Sequence, residues 1–178
     1  MANFDLYFPK EILLEGDKYE NVPGDNGGCT KFGLTLLDIE EYHLDVNSDG
    51  KFSCDDVKAL DRLTAGKILK KLYWDYFRAD EIPEQSVAEF IVDSGLNQGR
   101  ILLVKYLQHL LGVNVDGHFG PISFKILLDR IKIDSGKATF NQLYQQRYDR
   151  YKAIVANNPS QQKFWNGWQN RLNAIKFS

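Results

Sequence analysis

The chain has 178 residues, of which 43% are hydrophobic and 26% are charged. This composition is ordinary for a globular protein, and the length is sufficient to bury a core without disulfides or a metal. No apolar run approaches the roughly 20 residues of a membrane-spanning helix, which argues against a transmembrane protein. The start of the chain lacks a basic segment followed by an apolar one, so we expect no cleaved secretory signal and synthesis in the cytoplasm.

The net charge of −2 argues against generic nucleic-acid binding, although the charges are unevenly distributed. Residues 136–178 carry seven Lys or Arg against one Asp, a local balance of +6. Aromatic residues are interleaved there, and such a patch can hold single-stranded nucleic acid by stacking. Their helical spacing instead favours rings that face the core. We therefore expect no binding to nucleic acid. We also expect a monomer that does not bind membranes. The interleaved residues are Tyr144, Tyr148, Tyr151, Trp165 and Trp168.

Two cysteines, Cys29 and Cys54, are present. Their spacing matches neither a zinc finger nor a redox motif, and one pair in a chain of this length is weak support for a disulfide. We therefore expect free thiols.

Apolar residues with helical spacing predict a short first helix that carries Glu15 at its end and stops at Gly16. Residues 20–35 are rich in Gly, Pro, Asn and Asp, which predicts a glycine-rich loop or short hairpin. Another helix is predicted to begin near Leu36. A loop rich in Asp, Asn and Ser follows it over residues 45–56.

Helical periodicity returns after that loop, with Thr64 as a predicted N-cap. No alternating pattern of strand length stands out, so the predicted fold class is mainly α, with a small Gly-rich loop or hairpin lobe. Further helices are predicted over residues 57–63, 68–73, 87–94, 101–111, 122–131, 140–156 and 161–175.

Glu15 and Asp25 are the candidate carboxylates for catalysis. Cleavage of a glycosidic bond needs one protonated carboxyl that donates to the leaving oxygen, and usually a second carboxylate that activates water or acts as the nucleophile. A glutamate at a helix end after two leucines can be half-buried and keep its proton. Asp25 lies in a polar turn rich in backbone N–H donors and should stay ionised. Taken alone, this pattern is more typical of a helix end followed by a turn.

The segment from Glu15 to Thr35 makes the catalytic interpretation specific. It reads EGDKYENVPGDNGGCTKFGLT. It resembles the Glu-Gly-Gly-Tyr-x-Asn-x-Pro-x-Asp-x-Gly-Gly-x-Thr-x-x-Gly-Ile-Thr signature of the N-acetylmuramidase endolysins, glycoside hydrolase family 108. The chain has one extra residue between the glutamate and Tyr19.

Later segments resemble other motifs of the same family, in the same order. Residues 73–75 match its Tyr-Trp-Asp, and residues 92–95 match its Val-Asn-Ser-Gly with Asp in place of Asn. Residues 107–121 are similar to its peptidoglycan-binding helical motif, and residues 167–171 to its Gly-Trp-x-Asn-Arg. Nearly the full length is covered, and ordered motifs are more specific than any single one.

The resemblance implies a lysozyme-like fold and cleavage of the β-1,4 bond between N-acetylmuramic acid and N-acetylglucosamine in peptidoglycan. It implies Glu15 as the general acid, Asp25 as the second carboxylate and Thr30 as the hydroxyl that positions water or substrate. The glycines of the loop would let backbone approach a sugar chain closely. The implied substrate-binding residues are Tyr19, Gly27, Gly28, Asp93 and Gln108.

The resemblance also implies how the chain is divided and where it acts. Residues 1–95 would form the catalytic region, and residues 96–178 a helical peptidoglycan-binding-like region packed into the same compact unit. An endolysin of phage or prophage origin that lacks a signal would reach the wall in the periplasm after holin-type release.

Residues 45–56 match the EF-hand calcium loop position by position. Calcium takes about six to eight oxygens, and such a loop supplies them from alternate positions, with a glycine for the turn. The last ligand is Asp where Glu is usual, which resembles dockerin loops. A polar Asp- and Asn-rich surface turn is the alternative. We expect one structural calcium ion, with ligands Asp45, Asn47, Asp49, Lys51, Ser53 and Asp56.

Two other functions stay open on the residues alone. A non-catalytic wall-binding or secretion-associated module could keep a lysozyme-like scaffold, but it would not need Glu15, Asp25 and Thr30 at this spacing. A calcium-dependent interaction module would centre on residues 45–56 and leave the other motifs unexplained. The three histidines are scattered without a nearby nucleophile, so zinc-amidase and papain-like chemistry lack their residues.

Overall fold

The computed structural model of the chain describes residues 1–21 and 28–178. These residues form two compact units. The N-terminal unit comprises Asn3–Arg78, and the C-terminal unit comprises Ala79–Ser178 together with Met1–Ala2. Both are built mainly of helices, which confirms the mainly α, lysozyme-like fold class. The predicted functional division at residue 95 stays a prediction. Among the described helices, none is long and apolar enough to cross a membrane.

The N-terminal unit contains four helices and one small sheet in its described residues. The helices are α1 (Phe4–Glu15), α2 (Leu36–Tyr42), α3 (Cys54–Ala59) and α4 (Arg62–Leu69), followed by a π-helical turn at Lys70–Trp74. The strands are β1 (Glu20–Asn21), β2 (Cys29–Lys31) and β3 (Leu34–Thr35), paired antiparallel in that order. The predicted short hairpin is thus confirmed.

Helix α1 is fixed against the unit by aromatic packing. The ring of Tyr7 stacks on fully buried Trp74 with centroids 5.5 Å apart. Gly66 of α4 lies so close to Phe8 that an added Cβ would be 2.9 Å from the phenyl ring. Burial of the Tyr7 and Trp74 rings stabilises the fold by about 1.5–3 kcal/mol each. The buried face of α1 therefore fixes how this helix lies in the unit. The helix ends where predicted, because Gly16 has φ +75° and its N–H bonds to the Ile12 carbonyl.

Helix α4 begins earlier than predicted. Asp61 is its N-cap, and a side-chain oxygen of Asp61 accepts a hydrogen bond from the Thr64 N–H at 2.6 Å. The prediction of Thr64 as N-cap was wrong, because Asp61 stands three residues earlier and its carboxylate can take the free N–H of the first turn.

Cys29 and Cys54 form a disulfide, so the expectation of free thiols was wrong. The two Cα atoms are 5.8 Å apart although 25 residues separate them in sequence. The packing of β2 against α3 brings them together, and a distance of that size suits a disulfide. Sequence spacing alone carries no information about such a meeting.

The C-terminal unit is built around α5 (Gln85–Gln98). Its residues from Ser86 to Gly95 are all buried, which is the behaviour of a helix covered on every side. The surrounding helices are α6 (Arg100–Leu111), α7 (Pro121–Asp134), α8 (Gly136–Asn157) and α9 (Trp165–Ala174), with 3-10 turns at Ala79–Glu81 and Pro159–Phe164. The last predicted helix is therefore shorter than expected, since its first residues form a 3-10 turn.

The aromatic residues of the basic segment pack on one another along α8 and α9. Tyr151 is buried and stacks on Trp168 with centroids 5.0 Å apart. Tyr148 meets Trp165 edge to face at 5.9 Å. Stacked and edge-to-face pairs of this kind hold helices together. Of the five aromatic residues that were predicted to face the core, Tyr151 is buried and the other four are partly exposed.

Candidate active site

Glu15 is the last residue of α1, and its side chain is half-buried. It lies against the turn between β2 and β3. A Cβ added at Gly33 in that turn would be 2.8 Å from Glu15 Cγ and 2.9 Å from Cδ. Gly33 also has φ +76°, a conformation that favours glycine. This glycine therefore allows the turn to touch the side chain that carries the candidate acid.

Thr30 is the middle residue of β2, which is the central strand of the sheet. It pairs with Glu20 of β1 and Thr35 of β3, so these three side chains share one face. Thr30 is half-buried. Strands β1 and β3 pair with β2 on either side and fix the backbone of Thr30. The Thr30 hydroxyl therefore projects from a fixed point of the sheet.

A groove of about 370 Å³ lies at the end of α1. Gly16, which directly follows Glu15, and Phe32, which directly precedes Gly33, both line it. Two charged residues, Asp17 and Arg62, also line it. An apolar wall with a few charged groups is the usual character of a ligand pocket. The remaining lining residues are Ile12 and Leu13.

The other predicted residues of this region are placed only in part. Asp25 and Gly27 lie outside the described residues. Tyr19 is half-buried between α1 and β1. Gly28 is exposed, has φ +65°, and has open space where a Cβ would stand. The described part of the chain therefore brings Glu15 and the β2–β3 turn together, with the groove beside them.

The loop at residues 45–56 is folded around its own side chains. The Asp45 carboxylate accepts from the N–H groups of Asp49 at 3.1 Å and Gly50 at 2.7 Å. The Asn47 side-chain oxygen accepts from Asp49 N–H at 2.9 Å, and Asp49 accepts from Lys51 N–H at 2.9 Å. The oxygens at the first three predicted ligand positions therefore take part in consecutive turns.

Asp56, at the last position of that loop, is fully buried. Its carboxylate accepts hydrogen bonds from Val46 N–H at 2.7 Å and Asn47 N–H at 3.2 Å, and from Ser53 N–H at 2.9 Å. Burial by itself raises the pKa of Asp56, but these backbone donors outweigh burial and hold the pKa below its usual value. Asp56 also completes the capping box of α3. No group of three or more His, Cys, Asp or Glu that could hold a metal ion occurs among residues 1–21 and 28–178.

Asp93 lies in the C-terminal unit and is fully buried. One carboxylate oxygen bonds to Arg147, which is itself 2% exposed, and the other accepts from Arg171 at 2.6 and 2.9 Å. Burial would raise the pKa of Asp93, but the two guanidinium charges outweigh burial and hold the pKa below its usual value. The same carboxylate raises the pKa of Arg147 against its own burial. The described structure gives Asp93 a buried ionic role, and its contact with substrate stays a prediction.

Gln108 organises the loop that follows α6. It is buried, and its amide nitrogen donates to the Asp116 carboxylate at 2.7 Å and to the His118 carbonyl at 3.0 Å. Its oxygen accepts from Gly117 N–H at 2.8 Å. Gln108 therefore uses both ends of its amide inside the protein. A pocket of about 220 Å³ adjoins it, lined by the residues of this loop and the start of α7.

Sequence reasoning missed several contacts that position the predicted residues within each unit. These are the Cys29–Cys54 disulfide, Arg147 as partner of Asp93, and Lys31, whose Nζ donates to the Lys58 and Leu60 carbonyls. Each acts on a group more than twenty residues away in sequence. Only the position of Lys31 next to Thr30 could have indicated a role in the site.

The fold is mainly α and lysozyme-like, and a groove lies beside the residue that carries the candidate acid. A profile of glycosyl hydrolase family 108 matches residues 10–99, half of the chain. The chain belongs to this family. A second profile, described as a Predicted Peptidoglycan domain, matches residues 103–173. Together the two matches support a peptidoglycan hydrolase of lysozyme type, with peptidoglycan as its substrate.

Among solved structures, the chain is similar to SagA of Brucella abortus. The two sequences are 27% identical, the match covers 97% of this chain and 90% of that chain, and the TM-score is 0.72. None of the curated proteins that were compared with the chain matched it.

Proposed function

We propose that the protein is an N-acetylmuramidase that cleaves the β-1,4 bond between N-acetylmuramic acid and N-acetylglucosamine, with Glu15 as general acid. The observation that carries the proposal is the contact between Glu15 and the β2–β3 turn at Gly33, beside a groove that can receive a sugar chain. The family match supports glycoside hydrolysis and covers residues 10–99, which include Glu15. Glu15 is also the first residue of the segment that resembles the family signature.

In this mechanism the Glu15 carboxyl donates its proton to the oxygen that links the two sugars. The bond from the anomeric carbon to that oxygen breaks, and positive charge develops on the sugar ring. A second carboxylate stabilises that charge or activates water, and we assign this role to Asp25. Thr30, on the face of the sheet that it shares with Glu20, would hold the water or the substrate hydroxyl. Tyr19, Gly27 and Gly28 would contact the sugars.

The test is the release of reducing ends from purified peptidoglycan. Wild type should release them, and Glu15→Gln should lower the rate by about a hundredfold or more, as expected for loss of a general acid. Glu40→Gln, at an exposed glutamate of α2, is the matched control and should keep full activity. If wild type binds peptidoglycan but releases no reducing ends, the alternative of a non-catalytic wall-binding protein is favoured.

A comparison of two variants tests which aspartate is the second catalytic carboxylate. Asp17 lines the groove in the described structure, whereas the signature points to Asp25. Asp25→Asn should abolish most of the activity, and Asp17→Asn should affect mainly KM. The reverse result would give the role to Asp17.

We further propose that residues 45–56 bind one structural calcium ion. The donors are hard oxygens, the type that calcium prefers: carboxylates of Asp45 and Asp49, the amide of Asn47 and the carbonyl of Lys51, with Ser53 and Asp56 completing the predicted set. Asp56 already accepts three backbone N–H bonds, so it would act chiefly by shaping the loop.

Calcium at about 100 times its dissociation constant should raise the free energy of unfolding by about 2.7 kcal/mol, and a chelator should reverse the change. Asp49→Ala should remove the calcium response, while Asp55→Ala, at a neighbouring acidic residue outside the predicted set, should keep it. An equal melting temperature with calcium and with chelator would contradict the proposal.

We also propose that the enzyme reaches the wall from the cytoplasm through a holin-type membrane lesion, as in phage endolysins. Cells that express it should lyse only after their inner membrane is permeabilised. Lysis without permeabilisation would point to another export route.

A further inference from the structure

Strand β2 is attached to helix α3 on one face and presents Thr30 on the other. Alternate side chains of a strand point to opposite faces. Cys29 and Lys31 therefore share a face, and both reach α3. Thr30 stands between them and points the other way.

The two attachments lie at opposite ends of the helix. Cys29 is bonded through its sulfur to Cys54, the first residue of α3. Lys31 Nζ donates to the Lys58 carbonyl at 2.9 Å and to the Leu60 carbonyl at 2.6 Å, at the other end. A cation is favoured at a helix C-terminus because the free carbonyls carry partial negative charge. One bond is covalent and the other is charge-assisted, so β2 can neither slide along α3 nor rotate on it.

Helix α3 is itself a fixed support. Val57 and Leu60 are buried in the core of the unit. Asp56 is buried and ties the helix start to the preceding loop through Val46 and Asn47. A strand that is held at two points on such a helix has little freedom at the residue between those points.

The geometry points to Cys29, Cys54 and Lys31 as positioning residues for Thr30, so that catalysis depends on the oxidised disulfide. This inference rests on the proposed function. We call the disulfide and the Lys31 bonds the β2–α3 clamp. A chain newly made in a reducing compartment has the two thiols, and its strand β2 is attached to α3 only through Lys31. Beyond the membrane, where the substrate lies, oxidation completes the clamp.

The oxidation step needs a partner of the disulfide class, such as oxidised glutathione or a disulfide-bearing oxidoreductase. The thiolate of one cysteine attacks the partner disulfide, and a mixed disulfide forms as one partner sulfur leaves. The second cysteine then displaces the other partner sulfur and closes the S–S bond. The chain loses two electrons and two protons, and the partner gains them as two thiols. Cys29 is 1% exposed in the folded protein and Cys54 is partly exposed, so the partner disulfide reaches the pair through Cys54.

The test is a double-mutant cycle on kcat and KM for soluble glycan strands. Cys29→Ser with Cys54→Ser, and separately Lys31→Ala, should each lower kcat by about ten- to a hundredfold, with KM little changed. Lys31→Arg should restore most of the loss, because a guanidinium can donate to the same two carbonyls. Lys67→Ala, at an exposed lysine of α4, is the control that should leave kcat unchanged.

The same clamp variants are then made with Thr30→Ala. If the clamp acts through Thr30, they should cause no further loss of kcat in that background. An equal loss with and without Thr30 would overturn the inference, because it would mean general damage to the fold. So would full kcat in both clamp variants. Should the serine variant fail to fold, reversible reduction of wild type with dithiothreitol replaces it, and reoxidation should restore kcat. Inactive oxidised wild type would instead overturn the proposed function, and this inference with it.

Discussion

The two units of the chain use their polar motif residues in opposite ways. In the N-terminal unit, Glu15 and Thr30 are both half-buried. Glu15 directly precedes a residue that lines the groove and lies against the β2–β3 turn, and Thr30 lies on the strand that the β2–α3 clamp attaches to α3. In the C-terminal unit, Asp93 and Gln108 are buried, and each has bonds to other residues of the protein. The two residues with a proposed catalytic role therefore keep access to solvent, whereas Asp93 and Gln108 do not.

In the C-terminal unit, a buried ion pair links the motif near residue 93 with the motif near residue 171. Arg171 belongs to the Gly-Trp-x-Asn-Arg segment on α9, and Asp93 belongs to the Val-Asp-Ser-Gly segment on α5. The two residues are 78 positions apart in sequence, and the ion pair between them connects α5 with α9. Their joint presence follows from one buried contact, because a buried charge is tolerated only with its partner.

The largest expected effect breaks that buried contact. Asp93→Ala leaves Arg147 and Arg171 in the interior without their counter-ion, so the free energy of unfolding should fall by about 3–5 kcal/mol. Denaturant unfolding at neutral pH measures it. Asp129→Ala, which removes the exposed pair with Lys125, is the matched control and should change stability little. If Asp93→Ala raised KM and left stability intact, Asp93 would be a substrate ligand after all.

The next largest effect tests the contact between Glu15 and the β2–β3 turn in the N-terminal unit. At Gly33, alanine would place a Cβ within 3 Å of Glu15 Cγ and Cδ, so the acid must move. Gly33→Ala should lower kcat by about ten- to a hundredfold. Gly99→Ala is the control, because Gly99 has φ +86° with nothing within 4 Å of the added Cβ. It therefore shares the backbone strain and lacks the collision. Equal losses of kcat in both variants would remove the argument for a contact between Glu15 and the turn.

Sequence reasoning predicted what is local. Helix α1 ends at Gly16 as predicted, because a glycine that follows an apolar helical pattern is a reliable end signal. The mainly α fold follows from the same periodicity along the chain. The short hairpin at residues 20–35 was predicted from turn residues, and its strands of two or three residues are too short for an alternating pattern to show.

What sequence reasoning missed depends on distant contacts. Cys29 and Cys54 meet only because β2 packs on α3, and Asp93 meets Arg147 only because α5 and α8 pack together. Gly33, one of the loop glycines expected to approach a sugar chain, also lies against Glu15, and no sequence pattern indicated that contact. In each case the residue had been noticed but the neighbour that it contacts had not, since residue type predicts chemistry but not which neighbour receives it.

The smallest expected effect is the acid sensitivity of the two buried carboxylates, one in each unit. Asp56 is held by backbone N–H groups and Asp93 by two arginines, and both have a pKa below the usual value. A carboxyl whose folded pKa is lowered contributes stability that is complete above its unfolded pKa of about 4 and is lost as the pH falls further. The free energy of unfolding of wild type should therefore decline below about pH 4.

Asparagine variants separate the two contributions. Asp56→Asn and Asp93→Asn cannot ionise, so each should be less stable than wild type at pH 7, and the gap should narrow as the pH falls below about 4. Leu63→Ala, at an exposed apolar residue of α4, is a control whose gap should not depend on pH. Chemical denaturation across this range measures all four proteins. A difference in free energy of unfolding between wild type and Asp93→Asn that stays constant down to pH 3 would contradict the prediction. It would mean that Arg147 and Arg171 do not hold Asp93 as an ionised carboxylate.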